Sequence, residues 1–459
     1  MLFRITAAII KTHMQTHNPL ADIPQIEKLL SHAALADYID SIGRPIVARI
    51  ISEHIHAVRS AAKQGASVPS FDECLTDIQK NCLLMKRKRI TKVINATGII
   101  LHTNLGRSPL VKGVWDAAKS SIDSYAAIEM DLASGKRGKR FPFAVEAMNT
   151  LVGCEASVML NNNAAAVFLL LKALASDKEV IVARGQQVQI GGGFRIPDIL
   201  QAAGCRLIEV GTTNITTVRD VVQALSDRTA MVLWVHTSNY KIRGFTETPR
   251  ISEIKACLPP SVILAVDQGS GNIALNIPDE PSVSSLLKEG ADAVCFSGDK
   301  ILGGPQCGWV TGKKNLVDII ARHPLMRTYR VGRAVAALME ETLVCYLNNG
   351  KSAARCAIEA DQNAVKARCE AFASQVPHAK VAPYPFSLGG GSTPDAAFAS
   401  WAVQLSVKDP ESVKRALRFC TVPIIAFIED GQLVVHLASI DPADDTYIVQ
   451  QLQAIIIEE

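Results

Sequence analysis

Three apolar segments of this sequence, each typical of a buried strand, end in polar residues. The segment "SVILAVD" ends at Asp267, "DAVCFS" runs into Asp299 and Lys300, and "ASVML" is followed by asparagines 161–163 and an alanine-rich helix start. Ligands of open α/β sheets bind outside the carboxyl ends of the strands. We therefore expect these polar residues to lie close together at one edge of a sheet.

One cofactor uses all three kinds of residue. Pyridoxal phosphate (PLP) requires a lysine that can form a Schiff base, a carboxylate that keeps the pyridine nitrogen protonated, and a polar turn at a helix N-terminus that holds the phosphate. A buried carboxylate at Asp267 would raise the pKa of the ring nitrogen. Lys300 would act as a general base once an amino substrate displaces it from the cofactor.

Solvated loop charges are the alternative interpretation of Asp267 and Lys300, because most single aspartates and lysines lie on the surface. Gly298 and the pair Gly303–Gly304 favour a buried site, since glycine lets the backbone bend or approach a ligand closely. We expect this turn to pack around a cofactor or a partner subunit. Glycines also end ordinary strands, so the residues alone leave both interpretations open.

The composition is that of a globular protein with two or three domains. The chain has 459 residues, of which 48% are hydrophobic and 20% charged, and its net charge of +4 neither requires nor excludes a polyanionic partner. Eleven cysteines lack paired CxxC spacing, so we expect a reduced protein without a metal site. No apolar run reaches roughly 18 residues and residues 1–17 lack a cleavage pattern, which predicts a cytoplasmic protein.

Hydrophobic periodicity predicts three regions. Residues 1–90 are predicted to form a helical domain. Residues 91–335 alternate short apolar strands with helical stretches, which predicts a mostly parallel sheet with helices on both faces. Residues 336–459 are predicted to form a small α+β domain, with one long helical segment over residues 352–376 and an antiparallel hairpin around Asp430–Gly431. In the first domain, one helix face is expected to be apolar through Val47, Ile50, Ile51, Ile55 and Val58.

The chain resembles the bacterial selenocysteine synthase family, the L-seryl-tRNA(Sec) selenium transferases, which are PLP enzymes of fold type I. The resemblance follows the order and spacing of motifs along essentially the full chain and includes the N-terminal helical region. These motifs are "VINATGIILHTNLGRSPL", "EMDLASGKRGKR", "NNNAAAV", "IGGGFRIPDIL", "EVGTTN", "VHTSNYKIRGFT", "DQGSG" and "FSGDKILGGPQCG".

The resemblance implies roles for particular residues. Lys300 forms the Schiff base with PLP, Asp299 is an active-site acid, and Asp267 faces the pyridine nitrogen. A further set matches arginines that the family uses around the selenium-donor pocket, where guanidinium groups suit phosphate-like anions. This set is Arg107, Arg327 and Arg330. The other expected cofactor contacts are Asn162, Asn163, Ala164, His236 and Ser297.

Ordinary structural roles stay open for several of these residues. The arginines can form surface salt bridges, which is the usual role of an exposed arginine. His236 can be a strand-end histidine with satisfied hydrogen bonds. The basic run Lys86–Arg89 can be a solvated linker, although contact with tRNA phosphates is the alternative.

The resemblance also implies a reaction and its partners. Serine esterified to tRNA(Sec) forms an aldimine with PLP, Lys300 removes the α-proton, and loss of the β-hydroxyl gives an aminoacrylyl-tRNA to which selenium from selenophosphate adds. We expect a homo-oligomer, a decamer built as a pentamer of dimers, with the tRNA on the N-terminal domain. Two alternatives are a PLP lyase acting on a small amino acid or amino-sugar acid, and a non-catalytic tRNA-binding protein. The N-terminal domain argues against the first, and Lys300, Asp299 and Asp267 argue against the second.

Several positions depart from the family pattern. Acidic residues are usual where Gln186 and Gln189 stand, and an arginine is common at the position of Ile215. "RVGR" replaces the usual "RVDK", which places Gly332 and Arg333 at the last two positions, and Phe427 stands at a frequent arginine. We expect these changes to remove charge near the cofactor and substrate, which keeps a divergent paralogue open as an interpretation.

Overall fold

The structure is a computed structural model that describes residues 19–237 and 239–457. The chain forms two compact units, residues 1–92 and residues 93–459. Residues 1–17, for which the sequence predicts no cleavage, lie outside the described part. Within the described ranges, no helix has the length and apolar character needed to cross a membrane.

The described part of the first unit is helical, as the sequence predicts. The apolar face predicted from Val47 to Val58 is confirmed, because the five residues of that face are the ones that the third helix buries. The fourth helix begins at a capping box. The Ser70 side chain accepts a hydrogen bond from the backbone N–H of Glu73, and the Glu73 side chain accepts one from the backbone N–H of Ser70. The helices are α1 (Ile26–Leu30), α2 (Ala36–Ile42), α3 (Arg44–Lys63) and α4 (Phe71–Lys86).

The described part of the second unit contains a sheet of seven strands, a sheet of four strands and three pairs of strands. Its strands are β1 (Ile94–Asn95), β2 (Ala156–Leu160), β3 (Glu179–Ala183), β4 (Gln189–Ile190), β5 (Phe194–Arg195), β6 (Arg206–Val210), β7 (Thr229–Val235), β8 (Ile263–Gly269), β9 (Ala293–Ser297), β10 (Gly308–Gly312), β11 (Ala379–Pro383), β12 (Phe386–Gly389), β13 (Ser392–Phe398), β14 (Trp401–Leu405), β15 (Ile424–Ile425), β16 (Phe427–Glu429) and β17 (Gln432–Val435). Its helices are α5 (Val114–Asp123), α6 (Pro142–Val152), α7 (Asn163–Leu174), α8 (Ile196–Ala203), α9 (Val218–Gln223), α10 (Ile251–Cys257), α11 (Val283–Lys288), α12 (Lys314–Arg322), α13 (Arg333–Leu347), α14 (Ala353–Ile358), α15 (Gln362–Ala373), α16 (Pro410–Leu417) and α17 (Asp445–Ile457).

The large sheet has seven strands in the order β2-β10-β9-β8-β7-β3-β6. β10 runs antiparallel to both of its neighbours, and the other strands pair in parallel. The predicted mostly parallel sheet is therefore confirmed. Helices cover both faces: α7, α8 and α12 pack on one, and α6, α10, α11 and α13 pack on the other. Burial on both faces explains why the strands read as continuous apolar runs rather than alternating ones.

The C-terminal part of the second unit contains an antiparallel sheet of four strands, β11-β14-β17-β16. The hairpin predicted around Asp430–Gly431 is confirmed, since β16 pairs with β17 across these two residues. Both turn residues have positive φ, 48° at Asp430 and 74° at Gly431. Two such residues in succession form the tight turn whose twist matches that of paired strands.

The single long helical segment predicted over residues 352–376 is wrong. Two helices, α14 and α15, stand in its place. The first helix does not continue through Asp361, because the Asp361 side chain accepts a hydrogen bond from the backbone N–H of Asn363 and so caps the start of a new helix. The predicted domain boundary at residue 336 falls within α13, which packs on the large sheet, and the domain limits stay a prediction.

Candidate functional site

The polar strand ends that the sequence singles out meet in one cavity. This catalytic cavity, as we name it, has a volume of about 270 Å³ and lies at the carboxyl edge of the large sheet. It collects most of the predicted site residues, although they come from distant parts of the chain. Those that line it are Arg107, Asn162, Asn163, Ala164, His236, Asp267, Ser297, Asp299 and Lys300.

Lys300 lies in the turn that follows β9 and is buried. Burial lowers the pKa of its amine, and the nearby Arg107 guanidinium lowers that pKa further, while Asp267 and Asp299 act in the opposite direction. Desolvation penalises the charged form of an amine. The neutral amine, which is the form that acts as a nucleophile or base, is thus more accessible at Lys300 than at a solvated lysine.

Asp267 lies in the buried part of β8 and is held by the first residue of α7. Asn163 Nδ2 donates a hydrogen bond of 2.9 Å to Asp267 Oδ1. Burial raises the pKa of the Asp267 carboxyl, whereas the Asn163 hydrogen bond, Lys300 and His236 lower it. A carboxylate in this setting has a strong preference for a cationic partner, because little water is available to solvate its charge.

The N-terminus of α7 opens onto the same cavity. Asn162 caps this helix by accepting a hydrogen bond of 2.8 Å from the backbone N–H of Ala165. The backbone N–H groups of Asn163 and Ala164 belong to the first turn, where a helix has unpaired donors and a partial positive charge. An anionic group of a ligand is favoured at this position.

Arg107 and Asp299 form an ion pair at the cavity wall. Arg107 Nη1 lies 2.7 Å from Asp299 Oδ2, and the backbone N–H of Ser108 donates to the carbonyl of Asp299 at 3.3 Å. Arg107 adopts a positive φ of 65°, which is uncommon for a residue with a Cβ and occurs where the surroundings hold the backbone. The arginine does form a salt bridge, as one interpretation expected, but with a residue of the candidate site.

Arg327 and Arg330 are exposed, and neither lines the catalytic cavity. Their segment is nevertheless tied to the sheet near the cavity, because the backbone N–H of Asn161 donates to the carbonyl of Tyr329 at 3.0 Å. Glu129 lies close enough to Arg330 for the arginine to help lower the pKa of its carboxyl, after the larger effects of Arg140 and Arg137. The structure therefore brings Arg107 into the site and leaves the other two arginines on the surface.

His236 follows β7 and is partly buried between the cavity and a carboxylate. Its Nε2 lies 3.0 Å from the carbonyl oxygen of Asp279, and its Nδ1 lies 3.6 Å from Glu280 Oε2. Glu280 is buried and accepts hydrogen bonds from Gln268 and Ser270 of the "DQGSG" motif. Asp279 and Glu280 thus hold the His236 ring in place, as expected for a structural histidine at a strand end. The same residue also lines the catalytic cavity.

Glycines after Lys300 let elements of this chain pack closely. A Cβ at Gly303, where φ is 73°, would lie 2.7 Å from Ser352 Cβ, and a Cβ at Gly304 would lie 2.5 Å from Met339 Cε in α13. These close neighbours belong to the same chain, and packing of the turn around a cofactor or a partner subunit stays a prediction. The turn positions Lys300 through this packing.

Sequence reasoning missed several residues of the cavity wall. Phe194 comes from β5, Gln306 and Cys307 precede β10, and Gln268 follows Asp267. Of these residues, Phe194 could have been found from the sequence. It is an aromatic residue that directly follows the glycine cluster "IGGG" within a family motif. Burial raises the pKa of the Cys307 thiol, which makes this cysteine a poor nucleophile.

The positions that depart from the family pattern do not line the catalytic cavity, although Gln186 contacts a residue that does. Gln186 is buried, and its Oε1 accepts a hydrogen bond of 3.1 Å from the backbone N–H of Val235. Gln189 Oε1 accepts from Arg195 at 2.9 Å, Ile215 pairs with Glu247, and Phe427 packs on Tyr384. None of the departing residues lines that cavity among the residues described, and the expectation that they remove charge near the cofactor and substrate stays a prediction.

Comparisons with known proteins agree on one family. Residues 93–441 match the family model described as L-seryl-tRNA selenium transferase. A curated L-seryl-tRNA(Sec) selenium transferase of Carboxydothermus hydrogenoformans is 35% identical over 440 residues, which cover 92% of this chain and 94% of that protein. That of Hyphomonas neptunium is also 35% identical, over 95% of this chain and 99% of its own length.

A solved structure shares the fold at low sequence identity. The structure of D-glucosaminate-6-phosphate ammonia-lyase superposes with a TM-score of 0.59 and 18% identity, and the match covers 82% of this chain and 98% of that one. This likeness concerns the fold, which is the fold type I architecture expected from the sequence.

Proposed function

We propose, because the chain belongs to the L-seryl-tRNA(Sec) selenium transferase family, that it converts L-seryl-tRNA(Sec) to L-selenocysteinyl-tRNA(Sec) with selenophosphate as the selenium donor. One observation carries the proposal at the level of the site. Buried Lys300, buried Asp267 and the open N-terminus of α7 line one cavity.

The cavity fits PLP by the chemistry of its walls. Asn163 Oδ1 and Asp299 Oδ1 are buried without a hydrogen-bond partner among the described residues, and such atoms favour a polar ligand. Lys300 would hold the carbonyl carbon of the cofactor, Asp267 its ring nitrogen, and the α7 N-terminus its phosphate. When bound, PLP supplies an electron sink for a carbanion at the α-carbon of an amino substrate.

The residues of the chain then have distinct tasks. Lys300 accepts the α-proton of the seryl group, for which its lowered pKa suits it. Asp299 fixes the Arg107 guanidinium at the cavity wall and lies next to Lys300 in the chain. Arg107 binds the anionic donor, because a guanidinium offers paired N–H groups to phosphate-like oxygens.

Cofactor binding should depend on Gly308, which packs against the backbone of the turn that starts α7. A Cβ at this residue would lie 2.1 Å from the carbonyl oxygen of Asn162. We expect Gly308→Ala to displace this turn and to weaken PLP binding about 5- to 150-fold, since overpacking typically costs about 1–3 kcal/mol. Equilibrium titration of the apoprotein with PLP measures the effect.

Gly332→Ala is the matched control for this substitution, because a Cβ there meets no atom within 4 Å. Equal PLP affinity of Gly308→Ala and the control protein would contradict the assignment of the phosphate position.

Donor binding should depend on the shape of the Arg107 side chain as well as its charge. We expect Arg107→Lys to raise the KM for selenophosphate about 10- to 100-fold, because a lysine keeps the charge and loses the paired donors. Steady-state kinetics with saturating seryl-tRNA(Sec) measures this change. Arg355→Lys provides a control, since Arg355 pairs with Glu359 outside the catalytic cavity, and an equal effect of both substitutions would argue against a donor site at Arg107.

The partners follow from the same proposal. Seryl-tRNA(Sec) would rest on the N-terminal unit, where the exposed Lys86–Arg89 run offers charge to phosphates. Arg327 and Arg330, which lie outside the cavity, would complete the donor pocket in a homo-oligomer, which we propose to be a decamer of five dimers. The protein would act in the cytoplasm, where charged tRNA is used.

A comparison of two substrates tests the proposed function. Purified protein with PLP is given either seryl-tRNA(Sec) and selenophosphate, or D-glucosaminate 6-phosphate, the substrate named for the structural neighbour. We expect selenium on the tRNA in the first reaction and no ammonia in the second. Release of ammonia without selenium transfer would favour a lyase, and tight tRNA binding without either product would favour a non-catalytic protein.

A further inference from the structure

Two hydroxyl groups bind the backbone of the residue that follows Lys300. This residue, Ile301, is buried. Ser352 Oγ donates a hydrogen bond of 2.7 Å to the carbonyl oxygen of Ile301, and Tyr346 Oη donates to the same oxygen at 3.4 Å. Both donors come from outside the large sheet, because Tyr346 belongs to α13 and Ser352 directly precedes α14.

The other side of this peptide segment is held as well. The backbone N–H of Ile301 donates a hydrogen bond of 3.1 Å to the carbonyl of Ser270, in the "DQGSG" motif that begins at Asp267. Ile301 is therefore bound on one side to the chain that follows β8 and on the other side to the start of α14. The position of Lys300 depends on both attachments.

Ser352 uses its hydroxyl group in two directions. The residue is fully buried, and its Oγ accepts a hydrogen bond of 3.3 Å from the backbone N–H of Arg355, which caps α14. A hydroxyl group has one hydrogen to donate, and Ser352 gives it to Ile301. Loss of this donor would leave a buried carbonyl poorly satisfied, because no solvent reaches the site to replace it. Burial raises the pKa of Tyr346 to about 12, so its phenol also keeps the proton that it donates.

We propose that Ser352 is a positioning residue for Lys300. Its hydroxyl group holds the carbonyl of Ile301, and Tyr346 supports that carbonyl from α13. The direction in which the Lys300 side chain enters the catalytic cavity follows from this attachment, and a small displacement of a reacting group lowers a rate strongly. The inference rests on the proposed role of Lys300 as the residue that binds PLP.

Ser352→Ala tests the inference in the complete protein, before any tRNA is added. We expect the PLP-free variant to react with PLP about 2- to 12-fold more slowly than wild type, the range for one net hydrogen bond. The absorbance of lysine-bound PLP after rapid mixing measures this rate. The KM for seryl-tRNA(Sec) should stay that of wild type, because Ser352 is not among the described residues that line the catalytic cavity.

The pH dependence of the same reaction separates positioning from ordinary stabilisation. Burial is the largest cause of the lowered pKa of Lys300, and nearby charges act on it as well. Those charges belong to Arg107, Asp267, Asp299 and Glu280. A turn that is no longer held lets water reach the amine, so the pKa of Lys300 in Ser352→Ala should rise toward that of a solvated lysine. Because the neutral amine reacts, the pH of the half-maximal rate should rise too, whereas a loss of folded protein lowers only the amplitude.

Ser282→Ala is the matched control for the loss of a helix cap. Ser282 Oγ accepts a hydrogen bond of 3.1 Å from the backbone N–H of Ser285 at the start of α11. This helix has six residues, as α14 has. Both substitutions should lower the midpoint of denaturant unfolding, since each removes a cap. Ser282→Ala should keep the wild-type rate and pH dependence of the reaction with PLP.

Tyr346→Phe provides a second variant, which leaves the cap of α14 in place and should slow the reaction with PLP at least about twofold. Wild-type rates and pH dependence in Ser352→Ala would overturn the inference, and so would equal slowing in Ser282→Ala. If Ser352→Ala does not fold, a wild-type rate in Tyr346→Phe would overturn it.

The outcomes also separate this inference from the proposed function. Wild-type protein that carries PLP on Lys300 and makes no selenocysteinyl-tRNA would overturn the proposed function alone. Wild-type protein in which PLP does not react with Lys300 would overturn both.

Discussion

Lys300→Ala is expected to reduce the conversion of seryl-tRNA(Sec) by about 10⁴-fold, the upper range for loss of a positioned acid–base group. Lys300 is the buried amine of the catalytic cavity, and burial together with Arg107 lowers its pKa. Without it, the α-proton has no acceptor at the required place. Initial rates of selenium incorporation under saturating substrates measure the loss.

A second readout identifies the lysine independently of activity. Borohydride reduction of wild-type protein with PLP should fix the cofactor covalently, and peptide mass spectrometry should find it on Lys300. Lys300→Arg should lose the label and the activity as well, because a guanidinium keeps its charge and does not give up a proton. Label on another lysine, or normal rates in Lys300→Ala, would show that a different residue serves the cofactor.

Asp267→Asn is expected to have the next largest effect, a fall in kcat of about 10²- to 10³-fold, the range for loss of one preorganised electrostatic contact. The asparagine can still accept the hydrogen bond that Asn163 donates to Asp267 Oδ1, so the fold of the strand end should survive. What is lost is the negative charge that holds a proton on the cofactor ring. Single-turnover rates at saturating PLP measure the chemical step.

Asp292→Asn gives the contrast for this prediction. Asp292 is likewise a buried carboxylate, but it pairs with Lys255 and Lys313 away from the catalytic cavity. We expect this substitution to lower the midpoint of denaturant unfolding and to leave kcat close to that of wild type. A kcat loss in Asp267→Asn no larger than that in Asp292→Asn would contradict the assignment of Asp267 to the ring nitrogen.

The sequence predicted the strand ends of the site because they carry strong local signals. A run of apolar residues long enough for a buried strand, with Asp267 at its end or Asp299 and Lys300 shortly after it, indicates both the strand and the edge where its polar end lies. The helix face of α3 was predictable for the same reason, since its period matches that of a helix. The order of the motifs along the chain then predicted the family and, through it, the fold.

Features that depend on distant contacts were not predictable in this way. The Arg107–Asp299 pair joins residues 192 positions apart, and Phe194 reaches the catalytic cavity from a short hairpin outside the large sheet. Local pattern also failed at Asp361, where a side-chain cap divides a continuous helical periodicity into α14 and α15. The close neighbours of Gly303 and Gly304 lie in α13 and before α14, and no short motif indicates such packing.

The most direct test of the account is the mass of the aminoacyl group on tRNA(Sec) after incubation with purified protein, PLP and selenophosphate. The reaction begins with homogeneous seryl-tRNA(Sec), and the aminoacyl ester is released and analysed by mass spectrometry. We expect selenocysteine in the wild-type reaction and unchanged serine with Lys300→Ala. Unchanged serine with the wild-type protein, in a preparation whose Lys300 carries PLP, would contradict it.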